Sequence, residues 1–137
     1  MSDIFNGSCS CGLVKFTLNT AKHSTINCHC RTCRKLNGGA FSTYVAVAQD
    51  DFALSEGGDE LSRYAVTDNV DKYFCRVCGT PIYNQNKKYP GLMIVPVGAL
   101  DHPEDFKPTD NIFCESKLPW VPLQDETNDH SQGLPPR

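Results

Sequence analysis

The chain has 137 residues, a one-domain length, with 39% hydrophobic residues, 21% charged residues and a formal net charge of -3. The acidic balance argues against a nucleic-acid partner, because phosphate binding usually needs a basic surplus. No basic flank followed by an apolar run opens the sequence and no apolar stretch reaches spanning length, so neither an export signal nor a membrane partner is expected. Eight cysteines in such a chain point to the reducing cytoplasm and to metal rather than disulfides. The alternative is a secreted disulfide domain whose signal has been trimmed.

In chain order, residues 13–20 alternate, with Val14, Phe16 and Leu18 on one face, and predict a strand. Residues 27–39 form a cysteine-rich basic loop with a helical turn near 31–36, and residues 40–48, rich in Val, Ala and aromatics, predict a second strand. A turn at Gly57-Gly58 precedes a third strand at 61–66. Residues 71–84 read as a hairpin around Cys75-Arg76-Val77-Cys78-Gly79, in which Gly79 suits a left-handed turn position. Residues 92–100 and 112–115 complete the strands, and Pro90, Pro96 and Pro103 exclude long helices there. The expectation is one mainly β domain over residues 1–123, followed by a polar tail, 124–137, expected to be mobile. A modest core of this size would gain from a metal staple.

The cysteines fall into units: C-x-C at Cys9 and Cys11, C-x-C-x-x-C at Cys28, Cys30 and Cys33, C-x-x-C at Cys75 and Cys78, and Cys114 alone. Zinc takes soft thiolates in a tetrahedron, and two close pairs make one closed four-thiolate site, which Cys9, Cys11, Cys75 and Cys78 supply. That site would close a long loop and act as a staple. The middle triplet offers three thiols and an open fourth position, the pattern of a reactive zinc site, where a thiol can be deprotonated near neutral pH. A rival pairing joins Cys9 and Cys11 to two thiols of the triplet. The inert alternative is that His29 or Cys114 closes the triplet. In a C-x-C loop the middle side chain points away from the metal, so His29 reads instead as a proton carrier at the rim or as an exposed loop histidine. Cys114, flanked by Phe113 and Glu115, reads as a small buried hydrophobe. Among Arg31, Arg34 and Lys35, Arg34 is the best candidate to hold an anionic substrate, against the reading of a plain solvated face. Gly38-Gly39 is either a close approach to a ligand or a turn.

G-S-C-S-C-G at residues 7–12, C-H-C-R-T-C-R at 28–34, Gly39-Ala40-Phe41, F-C-R-V-C-G-T-P at 74–81 and I-F-C-E-S-K-L-P-W at 112–120 lie in order along nearly the whole chain. In these motifs the chain resembles the glutathione-dependent formaldehyde-activating enzyme (CENP-V/GFA) family. The resemblance implies an Mss4-like β-tent of small antiparallel sheets stapled by zinc–thiolate loops. It also implies two zinc ions, a structural one at Cys9, Cys11, Cys75 and Cys78 and a catalytic, more labile one at Cys28, Cys30 and Cys33. The activity it implies is a carbon–sulfur lyase reaction, joining glutathione and formaldehyde as S-hydroxymethylglutathione. One departure stands out: Asn111 occupies a position where the family commonly has His, so the substrate of this member can differ.

The reading that follows is a zinc-dependent enzyme acting on glutathione or a similar thiol and a small aldehyde or related electrophile. Cys28, Cys30 and Cys33 would hold the activating metal, Arg34 would place the substrate and His29 would pass a proton. The alternative is a non-catalytic, zinc-stabilised module that binds a protein partner. A homo-oligomer is compatible with either.

Overall fold

The computed structural model describes residues 3–134. A three-stranded antiparallel sheet is built from β1 (Ile4–Ser8), β2 (Lys15–Asn19) and β5 (Phe52–Glu56), in the order β1-β2-β5. A larger sheet takes β3 (Ser24–Cys28), β4 (Ser42–Ala48), β6 (Leu61–Ala65), β7 (Val70–Cys75), β8 (Pro81–Asn86), β9 (Leu92–Pro96), β10 (Asp110–Ile112) and β11 (Asn128–Asp129). Its order is β11-β10-β3-β4-β9-β8-β7-β6. One short helix, α1 (Arg31–Asn37), connects β3 to β4. The chain is mainly β, as expected, but the larger sheet has eight strands and is not wholly antiparallel. β10 runs parallel to both β3 and β11, because long connections rather than hairpins bring it there. Among the described residues no helix is long and apolar enough to cross a membrane.

Strand alternation decides which face of the large sheet does what. Val45 and Val47 of β4, with Met93 and Val95 of β9, pack against Phe16 and Leu18 of β2 and form the main core. The intervening residues, Tyr44 and Ala46 of β4 and Ile94 of β9, look out on the other face, where they line a cavity. The expected apolar face of residues 13–20 is thus the core face of the small sheet, with Val14, Phe16 and Leu18 all buried. A run of rings crosses from one sheet to the other: Phe16 stacks on Phe52 at 5.4 Å, Phe52 meets Tyr83 edge-on at 5.2 Å, and Tyr83 stacks on Tyr73 at 4.5 Å. Each such pair contributes about 0.5–1.5 kcal/mol beyond the area it buries.

Gly7 lies where β1 presses closest to this core. A Cβ there would run into the Phe16 ring and stand 2.6 Å from the Ala99 carbonyl oxygen. Gly7→Ala is therefore expected to cost on the order of 1–3 kcal/mol through overpacking, read as a lowered denaturant midpoint at unchanged m-value.

Several segments depart from the expected pattern. Residues 97–99 and 114–116 are 3-10 turns rather than strand continuations. The segment from residue 124, expected as a mobile tail, is docked as far as it is described. β11 pairs with β10, and the amides of Phe113, Cys114 and Glu115 donate to the carbonyls of Gln132, His130 and Ser131. Leu134 packs against Ile26, Cys28 and Tyr44. Residues 135–137 lie outside the described residues.

Candidate metal centres and cavity

The first centre forms where the two sheets meet. Cys9 and Cys11 sit in the turn after β1, tightened by the Gly12 amide donating to the Cys9 carbonyl at 3.0 Å. Cys75 ends β7 and Cys78 lies in the turn before β8, where Gly79, at φ +79°, donates to the Cys75 carbonyl at 2.8 Å. The Ser10 amide donates to the Thr80 hydroxyl at 3.0 Å and draws the two turns together. As a result the four sulfurs lie within 4.8 Å of one another. Cys9 and Cys11 are 3.5 Å apart and Cys11 and Cys75 are 3.7 Å apart. Sulfurs about 2.3 Å from a shared tetrahedral ion stand ~3.8 Å apart, so this donor set fits zinc closely. The Thr80 hydroxyl, 3.2 Å from the Cys78 sulfur, and the Thr80 amide bring that thiol down to about 5, toward the thiolate a metal needs.

The second centre lies at the junction of β3 and α1. Cys28 ends β3, Cys30 caps α1 by accepting the Cys33 amide on its sulfur at 3.2 Å, and Cys33 lies in the first helical turn. Their sulfurs also lie within 4.8 Å of one another. The Cys33 thiol donates to Cys28 at 3.0 Å, shorter than the tetrahedral edge, so the trio is drawn in as a thiol cluster. Hydrogen bonds from Cys28 and Cys33 hold the Cys30 thiol down to about 2, while the same contacts, together with burial, push Cys28 up. Three sulfurs this close are a soft donor set with three corners filled, which suits a zinc ion with an open side. The Tyr44 hydroxyl donates to the Cys33 sulfur at 3.5 Å, and burial and the adjacent cysteine push the phenol up, so it stays a donor. The two groups of sulfurs are separate, which removes the rival pairing of Cys9 and Cys11 with the triplet.

His29 turns away from the sulfurs, as the C-x-C argument expects, but the rim and the exposed loop are both wrong places for it. It is 1% exposed, its ring lies 5.0 Å from that of Phe41, and its Nε2 donates to the Asn111 Oδ1 at 2.9 Å. Nδ1 is buried without a partner. His29 does not line the cavity, so it has no direct contact with a substrate bound there. Arg34 is also committed elsewhere: its Nη1 donates to the His29 and Ser116 carbonyls, each at 2.7 Å, and ties α1 to the turn after β10. It positions the loop instead of reaching into the cavity. Gly38, at φ +71°, ends α1 by donating to the Arg34 carbonyl, which is the turn reading. Cys114 is half-buried, donates to the Asn111 carbonyl at 3.6 Å, and belongs to neither sulfur group.

Asn111 is the residue whose role sequence reasoning missed. It is 2% exposed and joins four partners: Oδ1 accepts from His29 and from Asn27 at 3.1 Å, and Nδ2 donates to Thr127 at 2.9 Å and Asp129 at 3.0 Å. It braces the cysteine loop from behind and does not face the cavity.

The cavity, about 480 Å³, has the outer face of the large sheet as its floor, and α1 and residues 132–134 along its sides. Cys28, Cys30 and Cys33 form part of its wall, and none of Cys9, Cys11, Cys75 or Cys78 does. Phe113, at φ +55°, adopts the left-handed backbone that turns its side chain onto the cavity. The cost, about 1–2 kcal/mol for a residue with a Cβ, is offset by the docked segment at 130–132 that bonds to this turn. This wall is assembled from strands far apart in sequence, so no local signal foretells it.

A model of the glutathione-dependent formaldehyde-activating enzymes matches residues 4–116. The chain belongs to this family. Relatives of the GFA chain include a provisionally named glutathione-dependent formaldehyde-activating enzyme of Halomonas elongata, 25% identical over 92% of this chain and 85% of the relative. A second protein with the same provisional name, from Podospora anserina, is 32% identical over 64% of this chain but only 43% of its own length. An uncharacterised lyase of Schizosaccharomyces pombe is 24% identical over 58% of this chain and 56% of its own. A crystal structure of a Rhodobacter sphaeroides protein superposes with a TM-score of 0.55 at 24% identity, covering 70% of this chain and 87% of that one, and shares the fold.

Proposed function

We propose that this GFA-family chain is a zinc-dependent carbon–sulfur lyase that joins a thiol, glutathione or one like it, to a small aldehyde, and runs the reverse cleavage. One observation carries the reading: of two thiol clusters, the four-sulfur one is closed and off the cavity, while the three-sulfur one opens onto it. Zinc held by Cys28, Cys30 and Cys33 would stabilise the substrate sulfur as thiolate and polarise the carbonyl. In the forward direction a sulfur–carbon bond forms, the carbonyl π bond becomes a hydroxyl, and the thiol proton ends on that oxygen.

The chain's own residues prepare this. Cys30 caps α1 and so fixes the loop that aims all three sulfurs at the cavity. Tyr44 holds the Cys33 sulfur in place from the sheet side. A substrate that fills this largely apolar cavity would displace its water, which strengthens each polar contact made there. Arg34 and His29 support the loop from outside the cavity.

Cys30→Ser is expected to lower catalysed thiol–aldehyde exchange by at least about 100-fold, the scale of removing a residue that helps hold an electrostatic catalyst. The measurement is NMR exchange between glutathione and formaldehyde on reduced, zinc-loaded protein, against the spontaneous rate. Unchanged exchange in Cys30→Ser would remove this reading.

A further inference from the structure

Residues 132–134 form one side of the cavity and lie beyond the stretch, 4–116, that matches the family. The family's pattern therefore does not dictate this wall. The segment is held by its backbone: the His130, Ser131 and Gln132 carbonyls accept from the Cys114, Glu115 and Phe113 amides at 3.0, 3.3 and 3.0 Å, and the His130 amide donates to the Asn111 carbonyl at 2.8 Å. These bonds fix its path as far as Gln132. A Cβ on Gly133 would stand 3.6 Å from the Tyr89 hydroxyl and 3.7 Å from the Phe113 ring, so the chain passes between these two wall residues. Leu134 then settles, half-buried, against the cluster of Ile26, Cys28 and Tyr44, where Ile112 and Phe113 also pack.

The cavity changes character along its length. The strand register sets Ile26 beside Tyr44 next to the sulfurs, and the row Ser24, Ala46, Ile94 and Asn84 beyond them. That row is four residues down β3 from Cys28, or about 13 Å along the strand direction. Asn86 and Lys88 line the cavity further out. A thiol that presents its sulfur to Cys28, Cys30 and Cys33 thus keeps its reacting carbon among apolar side chains. Its polar, charged body, as in glutathione, extends toward Asn86 and Lys88. Of the apolar groups at the sulfur end, Ile26, Tyr44 and Ile112 belong to strands of the large sheet, whereas Leu134 ends the docked segment.

Resting on the reading above, we propose that Leu134 is the specificity-determining residue for the electrophile: its side chain closes the space beside the three sulfurs and limits the group joined to the thiol sulfur to a very small one. An apolar wall discriminates by size, and one methylene too many against it costs at least about tenfold. A purely structural leucine, cut to Ala, would lower the melting temperature and leave the size preference where it was.

The test uses thioethers, which carry a product-like carbon on sulfur and cannot react. S-methylglutathione and S-butylglutathione are titrated by NMR into zinc-loaded wild type, Leu134→Ala and the milder Leu134→Val, with thermal melts of all three proteins. Leu134→Ala removes as many carbons as butyl has beyond methyl, so the space opened matches the chain added. Wild type should bind S-methylglutathione at least about tenfold more tightly than S-butylglutathione. In Leu134→Ala the butyl compound should gain at least about tenfold, with a smaller gain in Leu134→Val, while affinity for the methyl compound changes less than about 3-fold. Equal or tighter binding of S-butylglutathione by wild type, or a size preference that moves in neither variant, would overturn the proposal alone. Failure of both thioethers to bind any of the proteins would overturn it together with the thiol reading. If the preference moves as stated while Cys30→Ser leaves exchange intact, the specificity stands and the reaction is another one.

Discussion

Cys75→Ala is expected to abolish the cooperative melt near room temperature or to lower it by well over 10 °C. Cys75 is fully buried at the end of β7, and its partner pair Cys9 and Cys11 belongs to the other sheet. The four sulfurs therefore tie the small sheet to the large one across a stretch of more than sixty residues between Cys11 and Cys75. Apparent zinc-binding energies at closed thiolate sites, about 10–16 kcal/mol at neutral pH, exceed or match the whole stability of an ordinary domain. With one corner gone, the remaining thiolates would sit close together uncompensated. Circular dichroism melts and zinc content under reducing conditions measure both effects, and a near-native melt with full zinc in Cys75→Ala would mean that packing alone holds the two sheets.

Asn111→Leu is expected to cost about 3–5 kcal/mol, with the cysteine loop loosened. The substitution keeps the volume but leaves the His29 Nε2, the Asn27 amide, the Thr127 hydroxyl and the Asp129 carboxylate each without a partner they now have. Each stranded buried group costs about 1–3 kcal/mol, and the total stays below the sum because Asp129 is exposed to water and the Thr127 hydroxyl keeps the Gln124 carbonyl and Asp129 as partners. Because Asn111 stands behind the loop that carries Cys28 and Cys30, hydrogen exchange in residues 28–34 should speed up more than in β4. A loss under about 1 kcal/mol with unchanged exchange would show that the network is dispensable. The amide of Asn111 accepts from two donors and gives to two acceptors at once, which one imidazole could not do in its place.

Some of this was legible in the sequence and some was not, for physical reasons. The β2 alternation of Phe16 and Leu18, the β7–β8 hairpin around Cys75 and Cys78, and α1 could be read because local periodicity and turn chemistry specify them. β3, S-T-I-N-C, was not read as a strand, since its polar residues are satisfied by partners from distant segments: Asn27 meets Thr43 and Asn111. The same holds for β1 and β5, whose polar residues hide the alternation, and for β11, whose pairing depends on β10. At the site, spacing divides the seven clustered cysteines into units and favours the sorting the structure has, but it leaves the rival pairing of Cys9 and Cys11 with the triplet open, which only the positions of the sulfurs remove. The fate of His29 and Arg34 was hidden, because Phe41, Asn111 and Ser116, which occupy them, come from elsewhere in the chain. The cavity was hidden for the same reason.

A closed, structural thiolate centre beside an open, reactive one is tested most directly by zinc per chain. Metal content is measured by elemental analysis under reducing conditions, before and after mild chelation, in wild type and Cys30→Ser. The predicted result is two zinc ions in wild type with one readily removed, and only the tightly held ion in Cys30→Ser. A single zinc that resists chelation, with no second ion taken up when metal is added, would contradict the open centre and leave a zinc-stapled binding module in its place.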